Sequence, residues 1–434
     1  MSNKYLVIGY GDKSNPQGTV DIYNLETKTL TTGITGNMDI YIDNGDQPNF
    51  GSAVAINDSG DLFIAHSAGH DGEPNDGGDD LGHIHYYRHV PESGDLFDFR
   101  QTITGTADLF DGTNLPVGTG SPYQSRLGAG NMKATNTHLI ARYGSLENDR
   151  GHVGAFRITG EGEERALVPY GLLSRDDSVT GNLIVNGFTS GVFFNRVYAD
   201  NYGKTMALND NFCLIGDDSA VEKIDDTGGN GITDADGLID VWSLTGTIPE
   251  RLYTFSNLEA TGTEVSSSEN PEFNFAERDF EINDNNRCVF PSTSQSDGKR
   301  CYVYDIATTG QSFVTGLTGF AGITDTFNGV TISNNFIFAS LSGGNESTTR
   351  PSILVFEAKG NFQFQYQIFS QGPEYGSTHH ESKTLGELSY GEGQSQIASK
   401  DEGFFVAVNA SPASTDNHQL HVYANTGGAS KIIS

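Results

Sequence analysis

Several residue classes that often announce a function are scarce in this chain. Its 434 residues include three cysteines, Cys213, Cys288 and Cys301, too few and too odd in number for a disulfide scaffold. Cys288 and Cys301 fall in adjacent predicted strands, so a cross-strand contact is open to them, but free buried thiols are the expected state. Basic residues are equally thin: 25 Lys and Arg against 56 Asp and Glu, a formal net charge of −31. Nucleic-acid binding rests on neutralising phosphates with Lys and Arg, so this balance excludes it as a main role, and it disfavours anionic membranes. No apolar run approaches the ~18 residues of a membrane span, and no long stretch repeats its apolar residues at helical spacing. A positively charged, apolar export signal is also missing, since Tyr5–Gly9 already reads as a strand. The expectation is a protein made and used without export, or one whose leader was removed.

What is present is glycine, 54 residues, and a recurrence. Seven short strands end on an aromatic: Gly18–Tyr23, Gly82–Tyr87, Gly151–Phe156, Gly237–Trp242, Arg300–Tyr304, Pro351–Phe356 and Gln419–Tyr423. Each follows a second apolar run such as YLVIGYG, DLFIAHSAG or FCLIGDDSA. A unit of short strands and turns repeating at these intervals is the mark of a β-propeller.

The unit from Phe50 serves as the template. FGSAVAI (Phe50–Ile56) alternates as an inner strand, Asn57–Gly60 makes a tight turn, and Asp61–Ala68 is apolar enough to be buried on both faces. After the loop 69–80 comes HIHYYR, and then Phe97–Thr104, polar as an outer edge should be. Later inner strands are predicted at Leu127–Ala134, Tyr202–Leu208, Phe275–Ile282, Phe327–Ile332 and Tyr390–Ala398. The first unit has none, because the chain begins at its second strand. The expected fold is all-β, a single β-propeller over residues 1–434 with seven blades of mostly four antiparallel strands. The repeat units run approximately 1–49, 50–126, 127–201, 202–274, 275–326, 327–389 and 390–434. Turns between first and second strands are tight, whereas second-to-third connections and returns to the next unit are long and polar. The long class emerges at one end of a four-stranded blade, which is where binding is expected.

The pattern Phe-Gly-x-Ala-Val-Ala-Ile, a turn, Leu-Phe-Ile-Ala-x-x-Ala-Gly and Gly-x-Ile-x-x-Tyr resembles the FG-GAP repeats of integrin-α-like propellers. Such repeats recur in bacterial surface proteins and in virion proteins of marine phages. The resemblance spans nearly the whole chain and is strongest at Phe50–Arg88 and Tyr202–Leu244; it weakens at Phe275–Ile306, where Ala276 stands for Gly. Family members often carry a calcium loop between strands one and two, but here those turns are too short to hold it.

Candidate chemistry is sparse. The segment Asp225–Asp236 resembles a calcium loop counted from Asp226, with Asn230 at position five, Gly231 at six and Asp234 at nine. Gly228 at three and Gly237 at twelve bring no ligand oxygen, so a plain polar loop is the competing view. The acidic loop Asp71–Asp80 has no ligand register. His83 and His85 share one strand face, with His66 on the neighbouring strand; three imidazoles can bind zinc or copper, or simply be buried strand positions. His379-His380 reads as a solvated pair. No nucleophile elbow, phosphate loop or zinc-protease motif occurs, so no catalytic residue is assigned and no cofactor is required, calcium being the one ion considered. Strand-end aromatics such as Tyr23, Trp242 and Tyr423 are expected to pack between blades, while the loop aromatics Tyr123, Phe193, Phe194 and Tyr375 are candidates for a partner surface.

The resemblance and the acidity together imply a non-enzymatic virion protein, part of a phage tail, fibre or other external appendage, assembled in the host cytoplasm. Its partners would be other virion proteins or a host-surface glycan or protein. The alternatives are a secreted bacterial adhesin or carbohydrate-binding propeller at the cell surface, and a polysaccharide-active propeller enzyme.

Overall fold

A computed structural model describes residues 1–10, 18–35, 50–66, 82–91, 94, 96–106, 109–110, 127–146, 150–174, 202–217, 222–224, 232–234, 238–255, 280–291, 299–318, 327–341, 352–369, 389–390, 397–399, 404–410, 419–425 and 429–433. The chain divides into two compact units, one of residues 1–181, 196–220 and 241–251, the other of the remainder.

In the first unit, β1 (Tyr5–Tyr10), β2 (Thr19–Asn24) and β3 (Thr29–Thr35) form a three-stranded sheet. A four-stranded meander follows: β4 (Phe50–Ile56), β5 (Asp61–His66), β6 (His83–His89) and β7 (Phe97–Thr104). The next is β8 (Leu127–Ala134), β9 (His138–Leu146), β10 (Arg150–Thr159) and β11 (Ala166–Ser174). The strands β12 (Met206–Leu208), β13 (Phe212–Asp217), β16 (Leu238–Ser243) and β17 (Glu250–Phe255) make a further four-stranded sheet in that order, with residues 238–240 and 252–255 counted in the second unit, as is the two-stranded ribbon of β14 (Glu222–Ile224) and β15 (Ile232–Asp234).

In the second unit, β18 (Glu281–Ile282), β19 (Arg287–Pro291), β20 (Lys299–Ala307) and β21 (Gly310–Thr318) make one sheet. Another is β22 (Phe327–Ile332), β23 (Phe336–Leu341), β24 (Ser352–Glu357) and β25 (Phe364–Phe369). In the last, β26 (Ser389–Tyr390) and β27 (Ile397–Ser399) share one side of β28 (Phe404–Ala410), followed by β29 (Gln419–Asn425) and β30 (Ala429–Ile433).

The fold is an all-β propeller, and its blades number six, which corrects the expectation of seven. Six sheets carry all four strand positions. The N-terminal recurrence is real, but among the described residues its sheet has three strands with β1 at the edge, so it does not make a full blade. The recurrence of a strand pair was counted in the sequence, whereas a blade needs an inner strand as well.

Burial follows the strand patterns. β5 and β13 are buried at every position, as a strand covered on both faces must be, while β7 is mostly half-buried. The aromatic that closes each third strand has a structural correlate. In six sheets the register with the fourth strand shifts immediately before it, at Tyr23, Tyr87, Phe156, Tyr304, Phe356 and Tyr423. A β-bulge at a fixed position adds twist and re-aims the side chain. Phe156, Tyr304, Phe356 and Trp242 are buried; Phe156 joins a core shared by β4–β7 and β8–β11, and Phe356 one shared by β18–β21 and β22–β25.

The glycine of the Phe-Gly motif has an equally local reason. Gly51, Gly128 and Gly203 follow Phe50, Leu127 and Tyr202 and take φ of 84°, 84° and 80°, the left-handed region that side chains avoid. A Cβ at Gly128 would also stand 2.5 Å from the Cβ of Ala65, and one at Gly203 2.6 Å from Val153 Cγ2. The motif therefore lets each inner strand approach the preceding sheet.

Candidate functional site

The two ends of each blade are built differently. At one end lie the first-to-second and third-to-fourth turns, and the former are anchored by the side chain of their first residue. Asn209 Oδ1 accepts the backbone N–H groups of Asn211 and Phe212, and Asn283 Oδ1 those of Asn285 and Arg287. Ser333 Oγ does the same for Asn335 and Phe336. Asn and Ser favour such turns because their oxygens mimic a backbone acceptor. An Asn has an amide left over, and it reaches the next blade: Asn57 Nδ2 donates to Thr135 O at 2.9 Å, and Asn283 Nδ2 to Ser333 O at 3.1 Å.

Asp61 is the hub of this end, and sequence reasoning missed it. Its side chain is wholly buried and accepts from Tyr86 Oη and Asn57 Nδ2, each at 2.8 Å. Arg165, from the third-to-fourth turn of the following sheet, closes the set with Nε at 2.8 Å and Nη2 at 2.7 Å. Arg165 also donates to Asn136 O. The carboxylate lifts the Tyr86 hydroxyl pKa well above its ordinary value, after burial itself, which is the larger cause. In the second unit the polarity is reversed: Arg287 pairs with Asp305 at 2.7 Å and donates to Ala358 O. Asp61–Arg165 staples two sheets, whereas Arg287–Asp305 lies within one sheet and reaches the next through the bond to Ala358 O; neither is arranged for chemistry on a substrate.

At the other end, the connections are long and uneven. Residues 67–82 join β5 to β6 and include Asp71, Glu73, Asp76, Asp79 and Asp80. Residues 256–280 lead into β18 and include Glu259, Glu264, Glu269, Glu272, Glu277 and Asp279. Tyr123, Phe193, Phe194 and Tyr375, the aromatics expected to face a partner, lie outside the described residues, as do Asp226, Asn230 and the pair His379-His380. Asp234 is the last residue of β15, opposite Glu222, so β14 precedes the predicted calcium segment and β15 falls within it.

The histidines were placed correctly by strand alternation. His66 and His83 stand opposite each other, and His85 lies two residues along the same face. Their ring centroids form a near-equilateral triangle, 6.1, 6.1 and 6.2 Å apart. All three are buried. Thr104 Oγ1 stands 3.1 Å from His83 Nδ1, and Thr102 Oγ1 3.0 Å from His85 Nδ1. Burial pushes the His66 pKa down to about 4 and that of His85 to about 3, with the neighbouring imidazoles adding to the shift. Among the described residues no group of three His, Cys, Asp or Glu side chains is arranged to hold a metal ion. The three thiols are free and buried.

No protein-family model matches the chain, and no curated protein matches it. Solved structures similar to it are propellers. The β-propeller domain of the Trilobed protease from Pyrococcus furiosus is 7% identical with a TM-score of 0.45, over 100% of this chain and 96% of that one. A polysaccharide lyase of family PL25, an ulvan lyase, is 9% identical with a TM-score of 0.44, over 97% and 90%. The acylaminoacyl peptidase of Pyrococcus horikoshii is 10% identical with a TM-score of 0.42; the match spans 100% of this chain and 51% of the peptidase. Likeness at this level carries no activity across to the chain.

Proposed function

We propose that the chain is a non-enzymatic binding propeller of FG-GAP-like repeats, serving as an interaction component of a virion appendage. The observation that carries this reading is the asymmetry of the blades. One end is closed by short, side-chain-anchored turns and by buried staples such as Asp61–Arg165. The other bears the long, acidic connections, free to vary without disturbing the frame. Asp61, Arg165, Asn209, Asn283 and Arg287 are engaged in turns and staples, which fits a scaffold better than a reaction centre. The Phe-Gly opening at Gly51 and its Leu-Gly and Tyr-Gly counterparts at Gly128 and Gly203 support the repeat assignment, because each glycine meets a backbone requirement.

An acidic surface attracts cationic or hydrogen-bonding partners and steers their encounter. The partner class is therefore another virion subunit or a host-surface protein or glycan. Co-sedimentation of the purified chain with intact host cells and with isolated virion subassemblies tests this, using a variant with Asp71, Glu73, Asp76, Asp79 and Asp80 changed to Asn or Gln. The expected result is binding to one of the two that weakens in the variant while the melting temperature holds. Binding to neither, or turnover of a polysaccharide or peptide by the parent chain, would overturn the proposal.

A further inference from the structure

We propose that two exposed phenylalanines of the outer strands, Phe99 on β7 and Phe313 on β21, are stacking platforms for a neutral polysaccharide. Such platforms rest on the binding role proposed above, and give it a ligand class and a second location, on the strands rather than on the acidic connections. Phe99 is 55% exposed and Phe313 46%. Both fall in the first half of their strands, toward the tight-turn end.

Single apolar side chains at a surface are ordinary, but these two recur at one position. Each stands opposite the aromatic that follows the bulge in its own sheet, Phe99 opposite Tyr87 and Phe313 opposite Tyr304. The two pairs share a geometry: ring centroids are 5.6 Å apart in both, with interplanar angles of 71° and 66°. Whichever ring supplies the edge, a T-shaped contact leaves one face of the phenylalanine uncovered by that tyrosine. Phe364 repeats the arrangement against Phe356 at 5.7 Å and 73°, there half-buried.

Packing alone does not call for a ring at this position. Leu30 fills it opposite Tyr23, Pro169 opposite Phe156 and Lys431 opposite Tyr423. Leu30 is 53% exposed, so leucine is accommodated there as readily as phenylalanine. An aromatic face turned to solvent on a rigid strand therefore exceeds what the fold asks of the site.

The surroundings select the ligand. The chain holds 56 acidic residues and a net charge of −31, yet the outer strands β3, β11, β21 and β25 contain no charged residue. β7 holds one charge of each sign, Asp98 and Arg100. Outer strands commonly carry charge to keep other chains away, and its scarcity here marks a surface suited to an uncharged partner. A pyranose presents a face of C–H groups, which the negative face of an aromatic ring attracts, and neutral polar surface is cheaper to desolvate than carboxylates. A polyuronate or a second copy of this chain would be repelled by the net charge. One ring on a strand, without a continuous apolar patch, also fits a polymer of repeating sugars better than a protein, whose interfaces centre on an apolar core.

Affinity electrophoresis of the intact chain tests the platforms, in native gels cast with laminarin, dextran or galactomannan, with alginate as the charged comparison and a polymer-free gel as reference. Retardation is expected in at least one neutral polymer and not in alginate. The double variant Phe99→Leu, Phe313→Leu should lose most of it, because leucine keeps the cover that Leu30 provides but offers no ring face. The double variant Phe99→Tyr, Phe313→Tyr should keep it, and so should the variant neutralised at Asp71, Glu73, Asp76, Asp79 and Asp80. Should the leucine double variant not fold, the two single variants decide by the same comparison. No retardation by any neutral polymer, or equal retardation of the parent and the leucine variant, would overturn the proposal. Retardation lost in the neutralised variant but kept in the leucine variant would overturn it as well, while leaving the binding role of the acidic connections in place. Host-cell co-sedimentation that depends on the two rings without retardation by any glycan would assign them to a protein partner instead.

Discussion

Removing the Asp61 carboxylate should be among the most damaging single changes at the tight-turn end. In Asp61→Ala, Tyr86 Oη, Asn57 Nδ2 and the Arg165 guanidinium lose a shared acceptor in a site where the Asp61 side chain is 0% exposed and that of Arg165 14%. Breaking a buried pair by deleting one partner costs about 3–5 kcal/mol. Asp61→Asn keeps the volume and one acceptor oxygen but loses the charge, and should cost about 2 kcal/mol, the worth of a hydrogen bond to an ionised group. Denaturant unfolding followed by fluorescence of Trp242, the single tryptophan, reads these differences directly, since it lies in the same compact unit as Asp61 and Arg165. A double-mutant cycle of Asp61→Asn with Arg165→Gln should give a coupling energy between about 0.5 and 3 kcal/mol. Strict additivity, or an Asp61→Ala variant within about 0.5 kcal/mol of the parent, would refute the view that this residue staples two sheets.

Three further outcomes are expected. Gly128→Ala should cost about 2–4 kcal/mol by denaturant titration, because it combines a φ of 84° with a Cβ only 2.5 Å from that of Ala65. Asn283→Ala removes two turn acceptances and the donor to Ser333 O; it should lower stability by about 1–3 kcal/mol, with Asn283→Ser recovering part of the loss in the same titration. Cys213 is fully buried and its thiol pKa is pushed well up by desolvation. It should therefore resist a thiol reagent at pH 8 in the native protein and react once denaturant exceeds the unfolding midpoint.

Much of the frame was legible in the sequence because its signals are local. Phe50–Ile56, Phe97–Thr104, Leu127–Ala134 and Phe327–Ile332 are strands with the boundaries their alternation predicts. Other inner strands are shorter or broken: in the segment from Tyr202 pairing starts at Met206, after Gly203 in the left-handed region, and the one from Tyr390 becomes two pieces on β28. Alternation also brought His66, His83 and His85 to one face. The Asp61–Arg165 staple spans 104 positions, and a single sequence holds no pattern that couples residues so far apart. Blade count failed because the strand pair recurs seven times in the sequence, while the first recurrence forms a sheet of three strands among the described residues.

Quantitative peptide mass spectrometry of purified virus particles from the source most directly tests the proposed role. The account predicts this chain at a fixed stoichiometry to the other structural proteins, retained after density-gradient purification. Its absence from particles, with recovery from cell-surface or secreted fractions instead, would contradict the virion assignment and favour an adhesin built on the same six-bladed frame.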